Sequence, residues 1–376
     1  MILDYPRTST MYAVTGTRTF RLGSKMILGS VGENIQNKDK DIRFIYMSDG
    51  YDLADIDLVK RLEHYLKTSD ITLFSEEELQ RIKILIQVDQ SGAEALIVSY
   101  LCNAGKFRDL FLHGVKPHVF VALHVFAEEW QRRLPDLNIS AFVKAQPKDL
   151  TSLPDWKRLD KLIKSSDEWI ASERFYYIAK MICHAANYGM RGPTFALNVL
   201  QKSEGSIRLS ERQSTIYLEG YHSLFPEIRQ MHNTIQNELT KNNRFLRNLF
   251  GEPREFNGFW GDSLFKEAYA FIPQSTVGEI TNRAKRFIYE HIQAGDIEGL
   301  DQLANGHDSI LAQCRIGDEF FCAGILKHYL NADLVSPRGE KFNMKSEAQR
   351  GFNWSPSKVK KDGSIYNPMG LQEIKI

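Results

Sequence analysis

The chain has 376 residues, room for one large domain or two to three modest ones. Hydrophobic residues make up 43% and charged residues 25%, a globular balance that argues against a disordered or fibrous chain, and no apolar run approaches the roughly 18 residues of a membrane span. The net charge of +1 offers no bulk basic surface, so a nucleic-acid partner has to be met by local segregation of charge. The four cysteines (Cys102, Cys183, Cys314, Cys322) are scattered and form no CxxC pair, which argues against a disulfide framework or a structural zinc site and fits a reducing cytoplasm. The opening MILDYPRTST lacks a basic region followed by an apolar stretch, so no secretory signal is read there.

Along the chain, residues 9–48 mix Thr, Gly, Arg and apolar residues and predict strands and turns. From Leu53 to Leu85 the pattern turns helical: in IDLVKRLEHYL, Ile56, Val59, Leu62 and Leu66 recur at spacings of three and four. SEEELQRIKIL opens on Ser75, with Glu78 three positions later, which predicts a capping box. ILIQVDQSG reads as a buried strand ending at Asp89, and AEALIVSYL as the helix after it. HVFVALHVFAEEWQRRL, from His118, predicts one amphipathic helix. Residues 135–171, polar and punctuated by Pro135, Pro147 and Pro154, predict an inserted segment with one short helix of its own. Helices follow at 172–190, GPTFALNVLQKS and FPEIRQMHNTIQNEL. In RNLFGEPREF, Gly251, Glu252 and Pro253 break two runs into a hairpin. FKEAYAFIPQSTVGEITNRAKRFIYEHIQ reads as helix with a kink at Pro273. LDQLAN and ILAQC flank GHDS as two strands around a tight turn, and the tail after Pro337 reads as extended. The chain is mixed α and β, with strands at its two ends and helices between.

Two groups of residues could carry chemistry. Asp89 and Asp308 each sit at a strand end or hairpin tip among small residues; brought together, two carboxylates could hold two divalent metals about 4 Å apart, the arrangement used for phosphoryl transfer. Taken singly, each reads as an ordinary turn or cap residue. In the helix at 172–190, Tyr176, Lys180, His184 and Tyr188 recur every fourth position and form a stripe, with Arg174 near its start. Such a stripe could meet a triphosphate, a sugar and a base at successive turns, Lys neutralising phosphate and the aromatic ring stacking. It could also be one side of a packed helix with a snorkelling Lys.

In this order VDQSGAE, the K-x7-YG spacing from Lys180 to Gly189, and GHDS resemble the three signature motifs of family A DNA polymerases, roughly D-Y-S-x-x-E, R-x3-K-x7-Y-G and H-D-E. TGTRTFRLGS with GENIQN, DSLFKEAYAFIPQSTVGEI and FNMKSEAQRGFNW resemble further segments of that family, so the likeness runs from about Thr8 to Trp354. HAANYG resembles the H-x-x-N-Y-G of phage members.

The resemblance implies an α+β fold, an antiparallel-sheet palm with a mostly helical fingers subdomain: a right-hand polymerase lacking a thumb. It divides the chain into an N-terminal palm part at 1–115 with an inserted helical segment, fingers at 116–265, and a C-terminal palm part at 266–376. It implies that Asp89, Asp308 and the Gln90 carbonyl ligate two Mg2+ ions, and that Lys180 contacts the triphosphate and donates a proton to pyrophosphate. Gln90, Ser91, Glu94, Arg174, His184 and Tyr188 would form the nucleotide site, Glu94 as the gate against a ribose 2′-hydroxyl and Tyr188 stacking at the insertion position. Arg21, Gln36, Asn37, Gly189, Gln274 and His307 would hold primer–template DNA. The expected partners are primer–template DNA, dNTP and a separate protein supplying the thumb, the 3′–5′ exonuclease or both, since the likeness starts almost at the first residue. No membrane is expected, and the implied setting is phage DNA replication in the host cytoplasm.

The chain also departs from the family. Tyr176 stands where an Arg is usual, His184 replaces Phe or Tyr, Ser309 replaces Glu, and Ala270 replaces Asn. Two other readings stay open: a single-subunit RNA polymerase-like enzyme, which H-D-S favours and Glu94 opposes, and a non-catalytic nucleic-acid-binding polymerase remnant.

Overall fold

A computed structural model of the chain describes residues 11–13, 23–25, 40–166, 174–359 and 365–376. Arg21, Gln36 and Asn37 lie outside the described residues. β1 (Met11–Ala13) and β2 (Gly23–Lys25) pair antiparallel. α1 (Ile56–Thr68) is capped by Asp55, whose side chain accepts from the Leu58 amide; it buries Leu58, Leu62, Tyr65 and Leu66 and leaves Ile56 exposed. The inward face is therefore rotated from the predicted one, because Tyr65 turns in toward a buried ion pair. α2 (Glu76–Arg81) carries the predicted capping box, with Glu78 N donating to Ser75 Oγ (3.2 Å) and Ser75 N to Glu78 Oε2 (2.9 Å). β3 (Lys83–Gln90) is the predicted strand, followed by α3 (Ala93–Leu101) and α4 (Lys106–Leu112).

The single amphipathic helix expected from His118 is instead two, α5 (Pro117–Val125) and α6 (Ala127–Arg133), broken at Phe126. α5 buries Pro117 and every residue from Val119 to Leu123, so it is a core helix apolar almost all round rather than an amphipathic one. Among the described residues the inserted segment holds three helices, not one: α7 (Ile139–Lys144), α8 (Pro147–Leu150) and α9 (Trp156–Ser165). Pro147 starts α8 at its first turn, where its missing N–H costs nothing, and Trp156, Leu159 and Ile163 give α9 a buried stripe. α10 (Phe175–Asn187), α11 (Gly192–Lys202), α12 (Glu211–Leu224) and α13 (Pro226–Lys241) follow; α12, unexpected from the sequence, starts with its own capping box from Ser210 and Gln213. β4 (Phe245–Arg247) and β5 (Pro253–Glu255) form the predicted hairpin, and α14 (Asp262–Ala294) runs through Pro273. The C-terminal part comprises β6 (Asp301–Asn305), β7 (Ser309–Arg315), α15 (Glu319–Leu330), β8 (Ala332–Val335), β9 (Lys341–Met344), β10 (Ser346–Gly351), β11 (Lys358–Val359), β12 (Ile365–Tyr366) and β13 (Gln372–Ile374).

The chain folds as two units, one of residues 1–93, 274–335 and 341–376, the other of residues 94–273 and 336–340. The first is built on a five-stranded antiparallel sheet in the order β13-β10-β3-β7-β6. One face presents Ile84, Ile86, Val88, Ile310 and Ala312 to Leu62 of α1, Ile288 of α14 and Leu326 of α15. The other packs Leu85 and Leu311 with Trp354 and Leu371. A buried pair, Glu319 with Arg350, lies beside the first core; Tyr65 Oη donates to Glu319 (2.6 Å) and Arg350 reaches Ser69 Oγ (2.7 Å). The second unit is mostly helical. Its α10 packs on α5, α9 and α12, around edge-to-face aromatic contacts such as Phe107 on Phe225 (5.1 Å) and Tyr221 on Phe225 (4.9 Å).

Candidate functional site

In the first unit the pairing of β3 with β7 sets Asp89 opposite Ser309, and the Gln90 amide donates to the Asp308 carbonyl at 2.9 Å. The two aspartates are thus diagonal neighbours at the same end of adjacent antiparallel strands, their Cα atoms on the order of 6 Å apart. Asp89 is exposed and Asp308 half-buried.

The turn that carries Asp308 is tightly specified. A Cβ at Gly306 would lie 2.1 Å from Ser309 Oγ, so a side chain there would require the serine hydroxyl to turn away. His307 holds φ +74°, a left-handed conformation rare for a residue with a Cβ. Its amide donates to Asn305 Oδ1 (2.9 Å), and its carbonyl accepts from Thr281 Oγ1 (2.9 Å). Thr281, on α14, also accepts from Gln90 Nε2 (3.0 Å), so one hydroxyl ties the end of β3 to the turn before β7. Gln90 and Thr281 are 2% and 1% exposed, and Gln90 Oε1 takes no hydrogen bond among the described residues. Ser91, half-buried, donates its amide to the Lys345 carbonyl (3.0 Å), and Gln274 lies half-buried on α14.

As donors, Asp89 and Asp308 are hard oxygens. Among the described residues no group of three or more His, Cys, Asp or Glu side chains gathers into a closed metal site. Two carboxylates are the kind of donor that magnesium takes, since it is commonly bound by one or two carboxylates and keeps the rest of its shell for substrate and solvent.

In the second unit the stripe on α10 is the solvent side of the helix: Lys180 and His184 are exposed, Tyr176 and Tyr188 half-buried, while Ile178, Ala179, Ile182, Cys183 and Ala186 are buried on the opposite side. Lys180 Nζ lies 4.5 Å over the Tyr176 ring, so the ring face steadies the lysine. Arg174 occupies the N-cap position and lays its guanidinium 4.2 Å over Tyr177. His118 of α5 meets Tyr176 edge-on (6.2 Å); burial, then the charges of Lys180, Lys116 and His184, hold its pKa down to about 4, which leaves it neutral. His184 meets Tyr188 edge-on at 5.0 Å, and Tyr188 Oη donates to the Glu94 carboxylate in the first turn of α3. Two residues ninety-four positions apart, expected to select the nucleotide, are in direct contact.

α10 ends in a Schellman motif: Gly189 N donates to Ala186 O (3.2 Å) and Met190 N to Ala185 O (2.9 Å), with Gly189 at φ +68°. A Cβ at Gly189 would come within 2.9 Å of Tyr269 Cε2. Tyr269 stacks on His232 (4.0 Å), His232 Nε2 donates to the Asn187 carbonyl (2.8 Å), and Tyr221 Oη donates to Asn187 Oδ1 (2.6 Å). Thr281, Tyr221, His232 and Tyr269 carry no signal in the sequence, where nothing local marks a residue whose role is to hold a distant turn, and Asn187 stands out there only within HAANYG.

No protein-family model matches the chain, and no curated protein matches it. A solved structure, the POL domain of Pol1 from M. smegmatis in complex with DNA primer-template and dNTP, matches with a TM-score of 0.56 at 15% identity, over 92% of this chain and 47% of that one. The chain thus spans about half the length of that solved chain. The mixed helix and antiparallel-sheet fold described above is similar to the fold of that POL domain.

Proposed function

We propose that the chain is a DNA-directed DNA polymerase that joins a dNTP to a primer 3′-hydroxyl, with the sheet unit as palm and the helical unit as fingers. The observation that carries this reading is the placement of Asp89 and Asp308 at the same end of β3 and β7, with the Gln90 amide bonded to the Asp308 carbonyl. Asp89, Asp308 and the Gln90 carbonyl would hold two magnesium ions. When bound, the ions would supply activation of the primer hydroxyl and charge compensation at the leaving pyrophosphate.

The remaining roles fall to the chain's own side chains. Thr281 and Asn305 fix the strained His307 turn so that the Asp308 carboxylate is positioned before substrate arrives. Lys180, exposed and steadied by Tyr176, would neutralise the triphosphate and give a proton to the departing pyrophosphate. Tyr188 would stack at the insertion position, and the Glu94 carboxylate it anchors would fill the space a ribose 2′-hydroxyl needs. His307, Gly189 and Gln274 would contact primer–template DNA. The H-x-x-N-Y-G form of the α10 motif supports a role in phage DNA replication.

Ser309 favours a second reading, a single-subunit RNA polymerase-like enzyme; the Tyr188–Glu94 bond opposes it, since it holds a bulky carboxylate where such an enzyme needs a small residue. One assay separates them. On a primed DNA template with magnesium, extension that tracks template length with dNTP and stalls with rNTP supports the DNA reading. Equal use of rNTP would support the RNA reading, and no magnesium-dependent extension would reject both.

A further inference from the structure

α3 begins beside Glu94 and ends at Leu101, and the last carbonyls of any α-helix have no partner within it. Here two arginines from distant parts of the sequence collect them. Arg108 of α4, only 6% exposed, donates Nε to the Ser99 carbonyl (3.1 Å) and Nη2 to the Cys102 carbonyl (2.7 Å). Arg338, from the loop between β8 and β9, donates Nη2 to the Tyr100 carbonyl (2.7 Å) and to that of Cys102, and Nη1 to the Leu101 carbonyl (3.1 Å). The carbonyls of residues 99 to 102 are therefore all occupied. Glu340 links the two guanidinium groups, accepting from Arg108 Nη1 (2.5 Å) and from Arg338 Nη2 (3.2 Å), and Ser336 Oγ donates to Glu340 (3.2 Å). Two cations at a helix C-terminus also suit its dipole. Residues 336–340 belong to the same unit as α3, although the strands on either side of them belong to the other.

One glycine or lysine commonly ends a helix of this length, whereas here two arginines share its last carbonyls. Its other end offers a reason. Glu94 sits in the first turn of α3 and receives the Tyr188 hydroxyl, so the direction of the α3 axis sets where that carboxylate lies. From Glu94 to Cys102 the helix is about 12 Å long, and a tilt of about 5° at its C-terminal end moves the carboxylate by about 1 Å. Displacements of that size are enough to change reaction selectivity.

We propose that Arg338, with Arg108 and Glu340, positions α3 so that Glu94 excludes a ribose 2′-hydroxyl. Arg338 is thus a positioning residue for sugar selection, far in sequence from every motif that touches the nucleotide. The inference rests on the polymerase reading above, with Glu94 as the gate.

The test compares kcat/KM for dNTP and rNTP on one primed template with magnesium, for the wild-type chain and for Arg338→Ala, Arg338→Lys, Glu340→Gln and Glu94→Ala, each with its thermal unfolding curve. Arg338→Ala is expected to lower the dNTP preference on the order of tenfold, mainly by admitting rNTP, with dNTP turnover nearly unchanged; Arg338→Lys, which reaches fewer carbonyls, falls between. A plain helix cap would shift the melting curve and leave the preference unchanged. An unchanged preference in Arg338→Ala, with a lowered one in Glu94→Ala, overturns the inference and leaves the polymerase reading intact. An unchanged preference in Glu94→Ala removes the gate and the inference with it, and a wild-type chain that extends no primer removes the reading on which both rest. If Arg338→Ala does not fold, Arg338→Lys and Glu340→Gln decide by the same ratio.

Discussion

Replacing Thr281 by valine removes one hydroxyl and changes almost no volume, yet it strips a partner from both ends of the acidic pair. Gln90 Nε2 loses its acceptor at 3.0 Å and the His307 carbonyl its donor at 2.9 Å, in a place where Gln90 and Thr281 are 2% and 1% exposed. A buried polar group left without a partner costs about 1–3 kcal/mol, so the pair costs about 2–4 kcal/mol after some relaxation. The left-handed backbone at His307 (φ +74°) then loses its tie to α14, and Asp308, the next residue, is held less firmly. Thermal unfolding and single-nucleotide primer extension, read together, test this. Thr281→Val is expected to unfold at lower temperature and to extend with kcat reduced on the order of tenfold at unchanged affinity for primed DNA. Thr281→Ser, which keeps the hydroxyl, is expected to stay within about 1 kcal/mol of wild type. A Thr281→Val chain as stable and as active as wild type would show that the hydroxyl bridge does not hold the turn.

Gly189→Ala forces a side chain into φ +68° and against Tyr269 at 2.9 Å; a loss of about 1–3 kcal/mol by denaturant unfolding is expected, with weakened extension. At the buried Glu319–Arg350 pair, Tyr65→Phe removes a 2.6 Å hydrogen bond and should cost about 1–2 kcal/mol, whereas Arg350→Met strands the Glu319 charge and should cost about 3–5 kcal/mol; equal effects of the two would contradict this ranking. His118 and His222 both have pKa values held from 6.5 down to about 4, chiefly by burial. The unfolded chain therefore binds more protons between those two values, and stability falls as pH is lowered through that window, by about 2 kcal/mol for each histidine at pH 5 relative to pH 7. Melting curves at the two pH values should differ accordingly, and the double variant His118→Gln, His222→Gln should narrow the difference.

The sequence carried the local half of this architecture. Ser75 and Glu78 announced their capping box, the apolar run ending at Asp89 its strand, and the turn at 306–308 its hairpin, because each is written in neighbouring residues. The fourfold spacing of Tyr176, Lys180, His184 and Tyr188 likewise marked one side of a helix, and the structure adds that this side is the solvent one. What could not be read locally was partnership. Nothing near Asp89 says that it pairs opposite Ser309, and nothing near Glu94 names Tyr188. The sequence of α5 reads as amphipathic because periodicity does not report a neighbour that covers the second side. The spacing places Ile56 inward for the same reason, since the position of Tyr65 is decided by Glu319, far along the chain. The prolines at 135, 147 and 154 point to a segment with one short helix, although Pro147 opens a helix of its own.

The central claim is that Asp89 and Asp308 act together on a nucleotide. Single-turnover primer extension in magnesium by the wild-type chain, Asp89→Asn, Asp308→Asn and the double variant, all with matched melting curves, tests it most directly. The account predicts that each single variant loses activity on the order of a thousandfold, as expected when several kcal/mol of charge stabilisation is removed, and that the double variant loses little more. Extension by the double variant at near the wild-type rate would contradict it.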